Sequence, residues 1–152
     1  MNFSNTLEDK FIGSFIGLSL GDALGAPYEG GLIERFLWKF FSKTPTGKMR
    51  WTDDTQMSID IAETLIEKKK IDVNFLAQKF ASSYKWSRGY GPAAGKVLKS
   101  IRKGTQWEIA SRETYREGSL GNGGAMRSPL IGLMYFDNEA LLIKEISKAT
   151  KI

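Results

Sequence analysis

The most regular alternation of apolar and polar positions begins at Trp51-Thr52-Asp53-Asp54-Thr55 and continues through Met57, Ile61, Ala62, Leu65 and Ile66 at helical spacing. Thr52 stands at the N-cap position, where its side-chain oxygen can take an orphan backbone amide. Asp53 and Asp54 then fall in the first turn, where carboxylates suit the positive helix end. Capping alone accounts for that arrangement. The same side chains also make a hard oxygen cluster, two carboxylates beside two hydroxyls, of the kind Mg²⁺ takes.

Upstream, residues 11–25 superpose two rows spaced by four. Ile12, Ile16, Leu20 and Leu24 form an apolar row, and Gly13, Gly17, Gly21 and Gly25 form a flat one that lets another backbone come close. Each glycine costs a helix roughly 1 kcal/mol relative to alanine, so the pattern predicts a central, buried helix whose packed neighbour offsets the loss. The rows imitate a membrane dimer seam, but the apolar run falls far short of about 20 residues and Asp22 interrupts it. Near the helix end, Asp22 is expected to be a satisfied structural carboxylate or part of a polar site.

The turn cluster Gly25-Ala26-Pro27-Tyr28-Glu29-Gly30-Gly31 places Glu29 in a loop, either solvated or turned to a ligand. Residues 32–41 are too densely aromatic for clean periodicity and predict a short helix or packed loop. Residues 42–50 predict an exposed connection, and their Gly47-Lys48-Met49 lacks the rest of a P-loop. Asp72 caps a second amphipathic stretch expected to reach about Trp86, with Phe75, Leu76, Lys79, Phe80 and Ser83 on one face. Arg88-Gly89-Tyr90-Gly91-Pro92 breaks it, and Pro92 starts a helix that Gly104 ends. The glycine-rich run from Gly118 to Gly124 lets amides converge in a nest, with a helix expected from near Ala125 and continuing through residues 130–135. Asp137 or Asn138 caps a last helix carrying Leu141, Leu142, Ile143 and Ile146. No stretch reads as a strand, so the expected fold class is all-α.

Composition narrows the chemistry. The 152 residues suit one domain that buries roughly 70% of its unfolded surface. With neither cysteine nor histidine, disulfides, thiolate catalysis, ordinary zinc sites and Ser-His or Cys-His nucleophiles are excluded. The early Glu8 and Asp9 do not suit a signal peptide, and a cytoplasmic setting is expected. The net charge of +5 comes from scattered lysines, and Lys68-Lys69-Lys70 complements a helix C-terminus, so neither a nucleic-acid nor a membrane partner is expected.

Four motifs occur in order: Gly21-Asp22-Ala23-Leu24-Gly25-x-Pro27-x-Glu29, Trp51-Thr52-Asp53-Asp54-Thr55, Gly89-Tyr90-Gly91-Pro92, and Gly118-Ser119-Leu120-Gly121-Asn122-Gly123-Gly124-Ala125-Met126-Arg127. Together they resemble the ADP-ribosylglycohydrolase family, which includes the dinitrogenase reductase-activating glycohydrolases. The resemblance implies an all-α fold, a centre of two Mg²⁺ ions or of Mn²⁺, and removal of ADP-ribose from a modified side chain such as arginine or serine. By match, Thr52, Asp53 and Asp54 would be metal ligands, Asp53 also acting in catalysis, and Glu29 would be the carboxylate near the scissile bond. Gly118, Ser119, Gly121 and Asn122 would line the ADP-ribose cleft, flanked by Gly89 and Gly91.

Members of that family are typically about twice as long and carry a second acidic motif, Asp-x-Asp-Ser/Thr, near the C-terminus. This chain has no such motif. Thr52, Asp53 and Asp54 cannot complete two octahedral shells of about six oxygens each. The expectation is therefore a partial domain over residues 1–152, truncated at the C-terminus, that partners a missing C-terminal half. The alternatives are a non-catalytic ADP-ribose-binding module and an inactive remnant. Each predicts exposed apolar surface where further helices would pack.

Overall fold

A computed structural model describes residues 6–119 and 121–152; the first five residues and Leu120 of the glycine-rich motif lie outside the described residues. All regular structure among these is helical: α1 (Leu7–Gly25), a 3₁₀ turn (Ala26–Tyr28), α2 (Leu32–Phe41), α3 (Asp53–Lys68), α4 (Val73–Ser83), a second 3₁₀ turn (Trp86–Arg88), α5 (Pro92–Arg102), α6 (Trp107–Thr114), α7 (Gly123–Met126), α8 (Pro129–Met134) and α9 (Glu139–Ala149). A single antiparallel bridge, Lys43 to Met49, closes the loop before α3. No described helix is long and apolar enough to cross a membrane.

Caps set the helix starts. Thr6 and Asp9 form a reciprocal capping box at α1, with Asp9 N donating to Thr6 Oγ1 at 3.2 Å and Thr6 N to Asp9 Oδ2 at 3.0 Å. Thr52 and Asp72 cap α3 and α4 as their sequence positions predict. The core lies where α3, α4, α5 and α8 meet, with Ile61, Leu76, Phe80, Ile101 and Ile131 fully buried. These positions recur at helical spacing, so each helix turns one apolar stripe inward.

Four features depart from the sequence expectation. First, α1 is not central or buried. It packs on α3 and α8 through the side carrying Phe11, Phe15, Leu18, Asp22 and Ala23. Both four-spaced rows face the other way: Ile16 is 59% and Leu20 55% exposed, and a Cβ built on Gly13, Gly17 or Gly21 meets nothing within 4 Å. Counted at 3.6 residues per turn, positions 11, 15, 18 and 22 form their own heptad-like stripe nearly opposite the isoleucines. Second, α4 ends at Ser83, and Trp86–Arg88 is a separate 3₁₀ turn. Third, α6 stands where the sequence pattern assigned no helix. It buries Ala110 and ties Trp107 Nε1 to Asn74 Oδ1 at 2.8 Å. Fourth, the last glycine motif does not open one continuous helix. α7 is a single turn, and Pro129 restarts the chain as the first residue of α8, where its missing N–H leaves no intrahelical bond unmade.

The exposed side of α1 borders an apolar groove of about 550 Å³ shared with α3 and α8, lined by residues including Phe15, Ile16, Leu65 and Met134. Next to it in sequence, α2 exposes Leu32, Phe36 and Phe40. The expected open apolar surface is present.

Candidate functional site

The site is built on the first turn of α3. Asp22, from the last turn of α1, reaches this turn with both carboxylate oxygens. Its Oδ2 accepts the backbone N–H of Thr52 at 2.8 Å, that of Thr55 at 3.1 Å and the Thr55 hydroxyl at 2.5 Å, while Oδ1 accepts the Thr52 hydroxyl at 2.7 Å. Thr52 Oγ1 in turn accepts Asp54 N at 3.3 Å, which is the N-cap bond. Asp22 is thus the satisfied structural carboxylate that its position allowed, and it satisfies two of the amides that a helix start leaves without intrahelical partners.

Asp53 and Asp54 project from this fixed turn, both half-buried. Burial raises Asp53 to about 6; its own backbone amide opposes the shift, and the negative charges of Asp22 and Glu29 add to it. Burial raises Asp54 to about 7, reinforced by Asp53, Asp22 and Glu29. The charges of Asp22 and Glu29 thus reach both aspartates at this end of the molecule. The ion pairs among the described residues, Glu67–Lys68, Glu63–Lys79 and Glu145–Lys148, all lie elsewhere.

Glu29 is exposed and caps the 3₁₀ turn that follows α1. Gly89 meets the acidic turn from another direction. Its φ of +84° is left-handed, and a Cβ there would stand 3.4 Å from Trp38 Cζ2 and 3.7 Å from both Asp53 Oδ1 and Thr52 Cβ. Arg88 lies 4.3 Å over the Trp51 ring and donates to Trp51 O at 2.9 Å, and burial lowers its pKa. Gly91 is exposed at the N-cap of α5.

Gly118, Ser119, Gly121 and Asn122 form an exposed loop. Gly118 has φ +85°, and Ser119 Oγ accepts Gly121 N at 3.1 Å, which turns the loop back on itself. Asn122 occupies the N-cap of α7 without a side-chain capping bond. The loop connects to α3 through Arg127, whose Nη1 points at Met57 Sδ at 3.7 Å and whose Nη2 donates to Ala149 O at 2.9 Å and Ile152 O at 3.0 Å. Burial lowers this arginine to about 10. The sequence reading missed Arg127 as an anchor, as it did Trp38 and Arg88 around Gly89.

A family model described as ADP-ribosylglycohydrolase matches residues 4–152. The chain belongs to the ADP-ribosylglycohydrolase family. Among its relatives, ADP-ribosylhydrolase ARH3 of Gallus gallus is 33% identical over 163 aligned residues, covering 94% of this chain and 43% of the relative. ADP-ribosylhydrolase ARH3 of Xenopus tropicalis is 33% identical over 138 residues, 83% of this chain and 39% of the relative. The ADP-ribosyl-[dinitrogen reductase] glycohydrolase of Rhodospirillum rubrum is 32% identical over 130 residues, 80% of this chain and 43% of the relative. The chain thus spans about two fifths of the length of these curated ADP-ribosylglycohydrolases.

The donor chemistry of the acidic turn fits a hard divalent cation of the kind the ADP-ribosylglycohydrolase family uses. Asp53 and Asp54 are oxygen donors whose raised pKa values reflect burial and uncompensated negative charge, which a cation would relieve. The fit is to part of a shell: among the described residues no three acidic side chains converge closely enough to hold an ion by themselves.

Proposed function

We propose that this chain carries the ADP-ribose- and Mg²⁺-binding part of a hydrolase that cleaves the glycosidic bond between ADP-ribose and a modified protein side chain, arginine or serine. The observation behind this reading is the adjacent pair Asp53 and Asp54, both raised by burial and by the charges of Asp22 and Glu29, with Asp53 adding to the rise of Asp54. Thr52, Asp53 and Asp54 would hold the cation, with Mn²⁺ as an alternative to Mg²⁺. A bound ion would supply Lewis-acid orientation of ribose hydroxyls and of a water.

The chain's own residues divide the remaining work. Asp53 serves catalysis from the buried side, and Glu29 from the open side, where a carboxylate can stabilise the oxocarbenium-like charge that develops as the glycosidic bond breaks. Gly89 keeps the space beside Asp53 free of a side chain, and Gly91 borders the same cleft. The loop of Gly118, Ser119, Gly121 and Asn122 offers backbone amides to the phosphates, as glycine-rich turns do for anions.

The incomplete acidic shell supports a second reading, in which the chain is a module that binds ADP-ribose and does not take part in its hydrolysis. Release of free ADP-ribose from ADP-ribosyl-arginine and ADP-ribosyl-serine peptides in excess Mg²⁺ separates the two. Turnover abolished by Asp53→Ala supports the hydrolase. Binding of the peptides without release supports the module.

A further inference from the structure

Thr52 has one hydroxyl proton and two oxygen lone pairs. The 2.7 Å contact with Asp22 Oδ1 takes the proton, and the Asp54 amide at 3.3 Å takes one lone pair. One lone pair is left, on a side chain that is only 4% exposed. A hydroxyl held this way is acceptor-only toward anything that approaches it.

Asp22 is held by the protein. Its Oδ2 accepts Thr52 N, Thr55 N and Thr55 Oγ1, and its Oδ1 accepts Thr52 Oγ1. Ionised, it has no proton to donate back to Thr52, and turning it away would give up the start of α3. These four bonds fix the direction in which the Thr52 hydroxyl sends its proton.

We infer that Asp22 is a positioning residue that presents the Thr52 hydroxyl, proton turned away, to the cation held beside Asp53 and Asp54. This rests on the cation-binding reading proposed above. Asparagine at position 22 preserves size but replaces one acceptor oxygen with an NH₂ donor. Facing that donor, the Thr52 hydroxyl must turn its proton elsewhere, and the acceptor-only face is lost.

The test is Mn²⁺ titration, followed by electron paramagnetic resonance, of the whole chain and of Asp22→Asn, Thr52→Val, Thr52→Ser and Thr55→Val, with each melting temperature recorded. Outer partners of metal ligands are worth about 10-fold or more in affinity. Asp22→Asn and Thr52→Val should each weaken Mn²⁺ binding about tenfold, and the double variant should be no weaker than Thr52→Val alone. Thr52→Ser, which keeps the hydroxyl, should recover most of the affinity that Thr52→Val loses. Thr55→Val removes a hydroxyl from the same carboxylate and should keep Mn²⁺ affinity within about twofold, which a purely structural role for Asp22 would not allow. Equal losses from Thr52→Val and Thr55→Val, or parental affinity in Asp22→Asn, would overturn the inference while leaving the cation site standing. If Asp22→Asn does not fold, the comparison of the two threonines decides alone. No Mn²⁺ binding by the parent chain would overturn the cation-binding reading and this inference with it.

Discussion

Asp22 and Thr55 are 33 positions apart, yet one oxygen of Asp22 takes both the Thr55 hydroxyl at 2.5 Å and the Thr55 amide at 3.1 Å. With the matching pair of bonds to Thr52, this fastens the end of α1 to the start of α3. Asp22→Ala would leave buried donors of both threonines without an acceptor. At about 1–3 kcal/mol for each unsatisfied group, partly relieved by water, we expect a loss of about 3 kcal/mol in urea unfolding. A loss below about 1 kcal/mol would show that water replaces the carboxylate freely.

The raised carboxylates make stability depend on pH in a definite direction. Folded Asp53 and Asp54 hold protons to about 6 and about 7, against the ordinary aspartate value of 3.8. Between those limits the folded state binds more protons than the unfolded one, so stability falls as pH rises from about 4 to 7 and levels off above. Without divalent cations the melting temperature should be higher at pH 5 than at pH 8, and excess Mg²⁺ should narrow the gap by stabilising the pH 8 sample. A gap that Mg²⁺ leaves unchanged would assign it to other groups.

Asp60 is such a group. It is 2% exposed, accepts a hydrogen bond from Ser83 Oγ and one from Gln56 Nε2 at 3.5 Å, and burial raises it to about 6. Asp60→Asn removes a buried charge, so the melting temperature should rise at pH 8 and change little at pH 4, where the carboxyl is already neutral. Thermal scans at the two pH values check the contrast.

The open face of α1 and the buried core should respond differently to substitution. Ile16→Lys lies on the open face and should change stability by no more than about 0.5 kcal/mol, while reducing self-association seen by light scattering. Phe80→Ala in the core should cost about 4 kcal/mol. A large loss from Ile16→Lys would mean that the face is covered in solution.

Gly89→Ala places a Cβ at a left-handed φ of +84°, 3.4 Å from Trp38. Strain of about 1 kcal/mol is expected, with a shift of the Asp53 carboxyl resonance in NMR that Gly91→Ala, in open space, does not produce.

Much of this was legible in the sequence because the signals were local. Thr52 and Asp72 announced their helices through capping chemistry, Pro92 started α5 where a missing N–H does no harm, and the four ordered motifs identified the family before any coordinates. The glycine row of α1 misled because spacing shows that a face can pack, not that a neighbour is there; the helix packs through Phe11, Phe15 and Leu18 instead. α6 escaped notice because a short helix burying little beyond Ala110 has too few apolar positions to show a period. The partnership of Asp22 with Thr52 and Thr55 joins residues far apart in the chain, and no pattern in a single sequence measures that distance. The approach of Gly89 to Asp53 was hidden for the same reason.

Calorimetric titration of ADP-ribose into the purified chain, with and without excess Mg²⁺, tests the central claim most directly. The expected result is saturable binding that strengthens when Mg²⁺ is present and loses that dependence in an Asp53→Ala, Asp54→Ala double variant. Absence of binding under both conditions would contradict the claim that this chain carries the ADP-ribose and cation site.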